Sequence, residues 1–309
     1  MNASQIFSRN PLDRGERQRR DETWIHNAAR EATSKFLPLW HLKVPVSAKS
    51  ENSLAWQSFE VLCKLDIEID PIFLGLMDGE AYFTADISQL GNEAHDLQNN
   101  GKWVFEDARS AAELVSTEEA GILCQAIAQI NWHNNHRFCS VCGHKTWVKR
   151  GGQMRQCPNC EAQHFPRTDP VVITVVSDQG NCLLGQSRGR MSRANTYSAL
   201  AGFVDQGESI EEAVAREVME EAGIKINNIR YLFSQPWPFP HSLMIGCHAN
   251  AVTTEIVKDD HEMDDVRWFS RDEVQLALEG KSAGLRVPGP TAIAHHLIKV
   301  WAANEKIIY

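Results

Sequence analysis

Residues 202–223, GFVDQGESIEEAVAREVMEEAG, constrain this chain more than any other stretch. Ser209 followed three residues later by Glu212 spells a capping box, and Gly223 is the natural residue to end the helix that it starts. Between them Ile210, Val214 and Val218 form one apolar stripe, while Glu217 and Glu221 share a face four residues apart with Glu220 beside them. Like charges at that spacing repel by a few tenths of a kcal/mol per pair. Carboxylates gathered in this way have raised pKa values unless a divalent cation lies among them. Their oxygens suit Mg²⁺ or Mn²⁺, ions that keep several waters and bind substrate phosphates. The helix is therefore expected to face a metal and a phosphate-bearing substrate.

The 309 residues exceed one typical domain, and 43% hydrophobic with 23% charged residues is an ordinary folded composition. A net charge of -9 argues against a chain-wide basic surface for duplex nucleic acid. No apolar run approaches the roughly 18 residues of a membrane span, so no membrane partner is expected. The first 22 residues lack the apolar core of a secretory signal. They are arginine-rich, as a mitochondrial transit peptide is, but Asp13, Glu16, Asp21 and Glu22 favour an ordinary folded or mobile start. Ile307, Ile308 and Tyr309 do not match the S-K-L address, and cytoplasm is the default expectation. Arg14, Arg17, Arg19 and Arg20 could meet phosphate, although a solvated charged segment is the favoured reading.

Eight cysteines divide unevenly. Cys63, Cys124, Cys182 and Cys247 stand alone in apolar surroundings and read as small buried hydrophobes. Cys139 and Cys142 form one C-x-x-C, and Cys157 and Cys160 a second. Two such knuckles present four thiolates tetrahedrally, the arrangement of a closed structural Zn²⁺ site. A disulfide is disfavoured without a secretion signal, and a redox motif lacks its βαβ context. Nucleic-acid binding by this ribbon is the minority reading, since it carries few basic residues beyond Lys145, Lys149, Arg150 and Arg155.

Before about residue 130, apolar and polar stretches alternate, as in 61–70, 72–77 and 102–109, with a helical pattern over 117–132; this predicts an α+β domain without a chemical motif. After residue 169 a β-branched run at 171–176, a turn at 178–180 and a strand at 182–186 predict a hairpin. Strands are expected at 229–234, 243–252 and 266–269, and helices at 209–222, 271–278 and 291–303. Their interleaving predicts a mixed sheet with helices on both faces. In the segment 234–244, SQPWPFPHSLM, the prolines stiffen a backbone that displays Trp237 and Phe239, and they argue against a core strand. The domain boundaries expected are 1–132, 133–167 and 168–309.

The charged stretch reads G-x5-E-x7-R-E-U-x-E-E-x-G-U, with U apolar, from Gly202 through Glu208, Arg216, Glu217, Val218, Glu220 and Glu221 to Gly223 and Ile224. This pattern is the Nudix box. Together with the preceding ribbon and the S-Q-P-W-P-F-P-x-S array, in which His241 fills the variable position, the chain closely resembles the NADH pyrophosphatase subfamily of Nudix hydrolases, also known for removing NAD caps from RNA. The resemblance is dense from about Cys139 to Ala303 and weak before it. It implies a Nudix α/β/α sandwich with a mixed sheet, preceded by a zinc ribbon and an N-terminal α+β domain.

The resemblance further implies divalent-metal-dependent cleavage of the pyrophosphate of NAD(H) to nicotinamide mononucleotide and AMP. By motif position Glu217 and Glu221 are metal ligands, Glu220 a further ligand or water orienter, and the carbonyl of Ala201 another ligand. The acidic residue expected before the WF strand falls at Glu262. Glu220 or Glu221 is the candidate base, while Arg216 in the helix and Glu208 just before it read as a bracing pair within the motif. Phe165 corresponds to a base-stacking aromatic. Gln235, Pro236, Trp237, Pro238, Phe239, Pro240, His241 and Ser242 would line the dinucleotide pocket, and Ala294 would be a close contact, although plain helix packing explains an alanine as well. Relatives of this kind are homodimers. The competing class is a zinc-ribbon and Nudix-fold module that senses a dinucleotide without hydrolysing it, whose mark would be loss of Glu217, Glu220 or Glu221.

Overall fold

A computed structural model describes residues 5–48, 52–91, 94 and 103–303. The first four residues of the arginine-rich start, Lys102 of the 102–109 stretch and the terminal 307–309 lie outside the described residues. The chain separates into two compact units, one of Ile6–Arg167 with Trp237–His241, the other of Thr168–Pro236 with the chain from Ser242.

The first unit opens with α1 (Glu16–Arg19) and α2 (Glu22–Ala28), followed by β1 (Lys35–Leu39), β2 (Val44–Ser47) and α3 (Phe59–Cys63). Then come β3 (Ile72–Met77), β4 (Glu80–Asp86), β5 (Trp103–Glu106), α4 (Ala108–Leu114) and α5 (Thr117–Asn135). A three-stranded sheet runs β1-β4-β3, and β2 pairs with β5. Helix α5 starts where the Ser116 hydroxyl accepts the amide of Glu119, and it buries Ala120, Leu123, Ile127 and Ile130. The alternating stretch 61–70 is not a strand: its first residues finish α3, which leaves Cys63 exposed rather than in the core. Cys124, Cys182 and Cys247 are buried as expected.

Arg19 departs furthest from its expected solvated segment, being 0% exposed. Its guanidinium donates to the carbonyls of Arg14, Gly151, Phe73 and Leu74 and lies 4.7 Å over the Phe73 ring. Carbonyl dipoles and a ring face thus replace the water that a buried cation loses.

The ribbon strands β6 (Trp147–Lys149), β7 (Met154–Gln156) and β8 (Gln163–His164) complete this unit in the order β6-β7-β8. They are tied to α5 by His133, which is 6% exposed. Arg155 donates to its Nδ1 at 3.0 Å, so Nε2 carries the proton given to the Gly152 carbonyl at 2.9 Å.

In the second unit β9 (Asp169–Asp178) and β10 (Asn181–Ser187) form the expected hairpin. They are followed by α6 (Arg190–Arg193), β11 (Leu200–Phe203), α7 (Ile210–Ala222), β12 (Ile226–Trp237), β13 (Ser242–Ala251), β14 (Met263–Ser270), α8 (Arg271–Leu278) and α9 (Ile293–Ala302). The sheet runs β12-β13-β9-β10-β14, with β11 pairing β9; β13 lies parallel to β9, so the sheet is mixed. Alternation along β9 sends Val172 and Val176 to clusters with Val214 and Val218 of α7, and Ile173 and Val175 to the cluster holding Val274 of α8 and Leu297 of α9. Helices therefore cover both faces, giving the sandwich. β12 reaches through Pro236 because it is an edge strand, where a missing N–H breaks no ladder on the open side.

His248 on β13 is 9% exposed and donates Nε2–H to the Leu297 carbonyl at 3.0 Å. Burial pushes both His133 and His248 down to about 4. Each ring is neutral in the folded chain yet takes up a proton near pH 6.5 once unfolded, so stability is full above about 6.5 and is lost as pH falls toward 4. Each should cost roughly 2 kcal/mol by pH 5. Denaturant midpoints at pH 7 and pH 5 test this, and His133→Gln and His248→Gln should each flatten the difference.

Candidate active site and structural metal centre

Helix α7 begins with the predicted capping box: Ser209 accepts the Glu212 amide, and the Glu212 carboxylate accepts that of Ser209 at 2.7 Å. It ends on Gly223, whose φ of 69° is the left-handed conformation that glycine adopts without strain. Its stripe of Val214 and Val218 is buried against the sheet, which fixes how the acidic face is presented.

Arg216 gathers three of the carboxylates. Its Nε and Nη2 hold Glu208 at 2.6 and 2.8 Å, Nη1 donates to Glu217 and to Glu220 at 2.8 Å each, and Nη2 also reaches the Phe203 carbonyl. This bidentate pairing pulls Glu208 down to about 2. Glu221 receives no part of this charge. Its side chain is 7% exposed as a residue and accepts one backbone N–H, from Ala201 at 3.2 Å. Burial first, and then the charge of Glu217, push it up to about 8, with Glu262 and Glu220 adding to the repulsion. Burial also raises Glu217, despite its bond to Arg216.

Glu217 lies against the backbone of β11. A Cβ placed on Gly202 would meet its carboxyl atoms at 1.9–2.0 Å, so the glycine is the space the carboxylate occupies. Glu262 sits just before β14, close enough for its charge to act on both Glu217 and Glu221. Arg188 holds this turn. Its amide donates to the Glu262 carbonyl at 2.9 Å, its Nη1 to the Asp260 carbonyl at 2.9 Å, and its Nε lies 3.3 Å from Asp264. Nothing in the local sequence around Arg188 signals this role.

Among the described residues the four cysteines are the group of three or more ligand side chains gathered within 4.8 Å, while Glu217 and Glu220 are bonded to Arg216. The donor set nevertheless fits a divalent ion: a buried carboxyl that Arg216 does not reach, a second carboxyl beside it and a third within electrostatic reach.

The remaining candidates divide between the units. Gln235 is 0% exposed; its amide donates to the Thr291 carbonyl at 2.9 Å and accepts the Ile293 amide at 2.8 Å, capping α9. Ala294 is buried on that helix. Pro236 and Ser242 are half-buried in the same unit. In the other unit Trp237 and Phe239 pack edge-on to one another and to Phe7, and the Arg109 guanidinium lies 4.5 Å over Phe239 and 5.5 Å over Trp237. Pro238 is buried there, His241 half-buried, Pro240 exposed, and Phe165 is 57% exposed. Sequence reasoning missed Phe7 and Arg109, whose relation to this loop is entirely long-range.

The four cysteine sulfurs lie within 4.8 Å of one another, with Cys139 to Cys160 at 3.6 Å and Cys142 to Cys157 at 3.4 Å. Tetrahedral zinc with bonds of about 2.3 Å separates its sulfurs by about 3.8 Å, so the set fits structural Zn²⁺. His164 Nε2 lies 3.3 Å from Cys139 Sγ, a contact that orients the thiolate. Cys157→Ser should lower bound zinc from about one per chain to near zero and loosen the ribbon. Zinc analysis of the purified variant, with limited proteolysis, checks both.

Comparison with known proteins agrees with this geometry. A NUDIX domain matches residues 166–287, an NADH pyrophosphatase zinc ribbon domain 134–165, and an NADH pyrophosphatase-like rudimentary NUDIX domain 33–132. The NAD-capped RNA hydrolase NUDT12 of Macaca fascicularis is 35% identical, over 96% of this chain and 72% of its own length. The mitochondrial NAD(P)H pyrophosphatase NUDT13 of Mus musculus is 44% identical over 76% and 72%, and the NAD-capped RNA hydrolase NudC of Mycobacterium bovis 39% identical over 64% and 66%. With a carboxylate helix, a four-cysteine ribbon and a relative matched over 96% of this chain in agreement, the chain belongs to the Nudix hydrolases, in their NADH pyrophosphatase branch.

Proposed function

We propose that the protein hydrolyses the pyrophosphate of NAD(H) to nicotinamide mononucleotide and AMP, and removes NAD caps from RNA by the same step. The observation that carries the hydrolytic reading is Glu221, a buried carboxylate beside Glu217 that the helix's own arginine does not reach. The names of the relatives support the substrate.

Glu217 and Glu221, with Glu220, Glu262 and the Ala201 carbonyl, would hold the divalent ions, Mg²⁺ or Mn²⁺. Bound there, the ions supply charge neutralisation at the pyrophosphate oxygens and acidify water. Arg216 holds the acidic face in one arrangement, so that little reorganisation accompanies the reaction. Glu220, 55% exposed at its side chain, has the solvent access to accept the proton of the attacking water; Glu221 is enclosed and suits a ligand. Water adds to one phosphorus, the bridging P–O bond breaks, and the bridging oxygen departs on the other phosphate. Attack at either phosphorus yields the same two monophosphates. Phe165, the segment Gln235 to Ser242 and Ala294 would contribute to dinucleotide binding. The organisation proposed is a rudimentary domain at 1–132, a ribbon at 133–167 and a catalytic domain at 168–309, acting as a cytoplasmic homodimer.

Chromatography of the products from NADH, NAD⁺, ADP-ribose and NAD-capped RNA tests this. The expected result is equimolar AMP and reduced nicotinamide mononucleotide from NADH, dependent on Mg²⁺ or Mn²⁺. Release of free nicotinamide, or no product from any of the four, would contradict it.

A further inference from the structure

We propose that the outward face of the zinc ribbon binds single-stranded RNA; its part in turnover, as the grip on the body of a capped transcript, rests on the decapping reading above. Strand alternation turns Thr146, 1% exposed, and Val148, packed on the main core cluster, inward, and Lys145, Trp147 and Lys149 outward. Phe138 pairs with Lys145 through an antiparallel bridge, which puts its ring on the same side. Val141 at 73% and Phe138 at 66% are the two most exposed large apolar side chains among the described residues, and Trp147 is 59% exposed.

The ribbon's own charge is predominantly positive. Residues 134–165 hold Arg137, Lys145, Lys149, Arg150 and Arg155 against the single acid Glu161, in a chain whose net charge is -9. Arg155 is buried on Thr146 and His133, and Arg150 is engaged by Glu16 at 2.6 Å. Arg137, exposed and bonded to Asn134, stands beside Phe138, while Lys145 and Lys149 form no ion pair among the described residues. Rings alternating with unneutralised cations are the two elements of a single-strand groove: every base offers a π face, and every phosphate a charge. A second copy of this chain suits the face less well, because a two-fold contact opposes the same cations to themselves. Duplex nucleic acid suits it no better, since paired bases cannot stack on the rings.

The test is fluorescence anisotropy of an uncapped, labelled 20-nucleotide RNA with the zinc-loaded full chain. Zinc content, elution volume and NADH turnover are measured on the same samples, so that folding, self-association and the active site are reported separately. Phe138→Ala and Trp147→Ala should each weaken binding about tenfold. Lys145→Ala with Lys149→Ala should reduce the slope of log K against log salt by about 1.4. On NAD-capped RNA the ring variants should raise KM by a similar factor and leave kcat in place. Unchanged RNA affinity in both sets overturns the proposal. So does a loss of self-association in the ring variants with RNA affinity intact, which would assign the face to a second copy. RNA binding without NADH hydrolysis by the wild-type chain would leave this face standing and remove the activity reading instead.

Discussion

Glu221→Gln should lower turnover on NADH by on the order of 10³-fold, the scale of losing one preorganised charge partner from a transition state. The substitution keeps the shape of the side chain and the bond that the Ala201 amide donates to it. It removes the titratable carboxyl and so the charge that a cation would meet. Because burial pushes that carboxyl up to about 8 without a cation, it must take up a proton on folding at neutral pH; the amide avoids that cost, so the metal-free chain should gain stability and lose its stabilisation by added Mn²⁺. A thermal-melt series against Mn²⁺ and single-turnover kinetics separate these effects. Retained turnover would remove Glu221 from the mechanism.

Gly202→Ala should cut kcat/KM about 10²-fold while moving the melting temperature little. The added methyl would lie 1.9–2.0 Å from the Glu217 carboxyl atoms, while β11 is anchored by its ladder to Ile173 and Val172 of β9. The φ of Gly202 is not in the left-handed region, so alanine strains no backbone there. What must give is the Glu217 side chain, which leaves its place against the strand and its bond to Arg216. A displacement of about 1 Å at a reacting group is worth that factor, whereas a carboxylate swung from its largely buried place toward solvent regains hydration that offsets its lost bond to Arg216. Kinetics and calorimetry on one preparation decide it. Parallel losses of both activity and stability would mean that the strand, rather than the carboxylate, had moved.

Local chemistry was legible wherever one segment carried the whole signal. Ser209, Glu212 and Gly223 bound α7, and the four cysteines meet at zinc-sized distances. The β-branched run of β9 reads correctly as a strand because its two faces meet different helices and it needs no polar alternation. Long-range compensation was not legible. Arg19 looks solvated within RGERQRR, and only carbonyls from as far away as Gly151 make its burial tolerable. Gln235 belongs by sequence to a pocket motif, yet its amide is spent on α9, 56 and 58 residues away. The cation missing from the acidic helix is in part Arg216, already within it; sequence spacing showed that the arginine was near but could not show which carboxylate it would omit.

That omission is the core of the account, and uptake of Mn²⁺ by the zinc-loaded chain, followed by electron paramagnetic resonance, tests it most directly. Saturable binding below millimolar concentration, lost in Glu221→Gln and undisturbed by Glu279→Gln on the α8 C-cap, is the result predicted. No uptake at millimolar Mn²⁺, or uptake that Glu221→Gln does not alter, would contradict it.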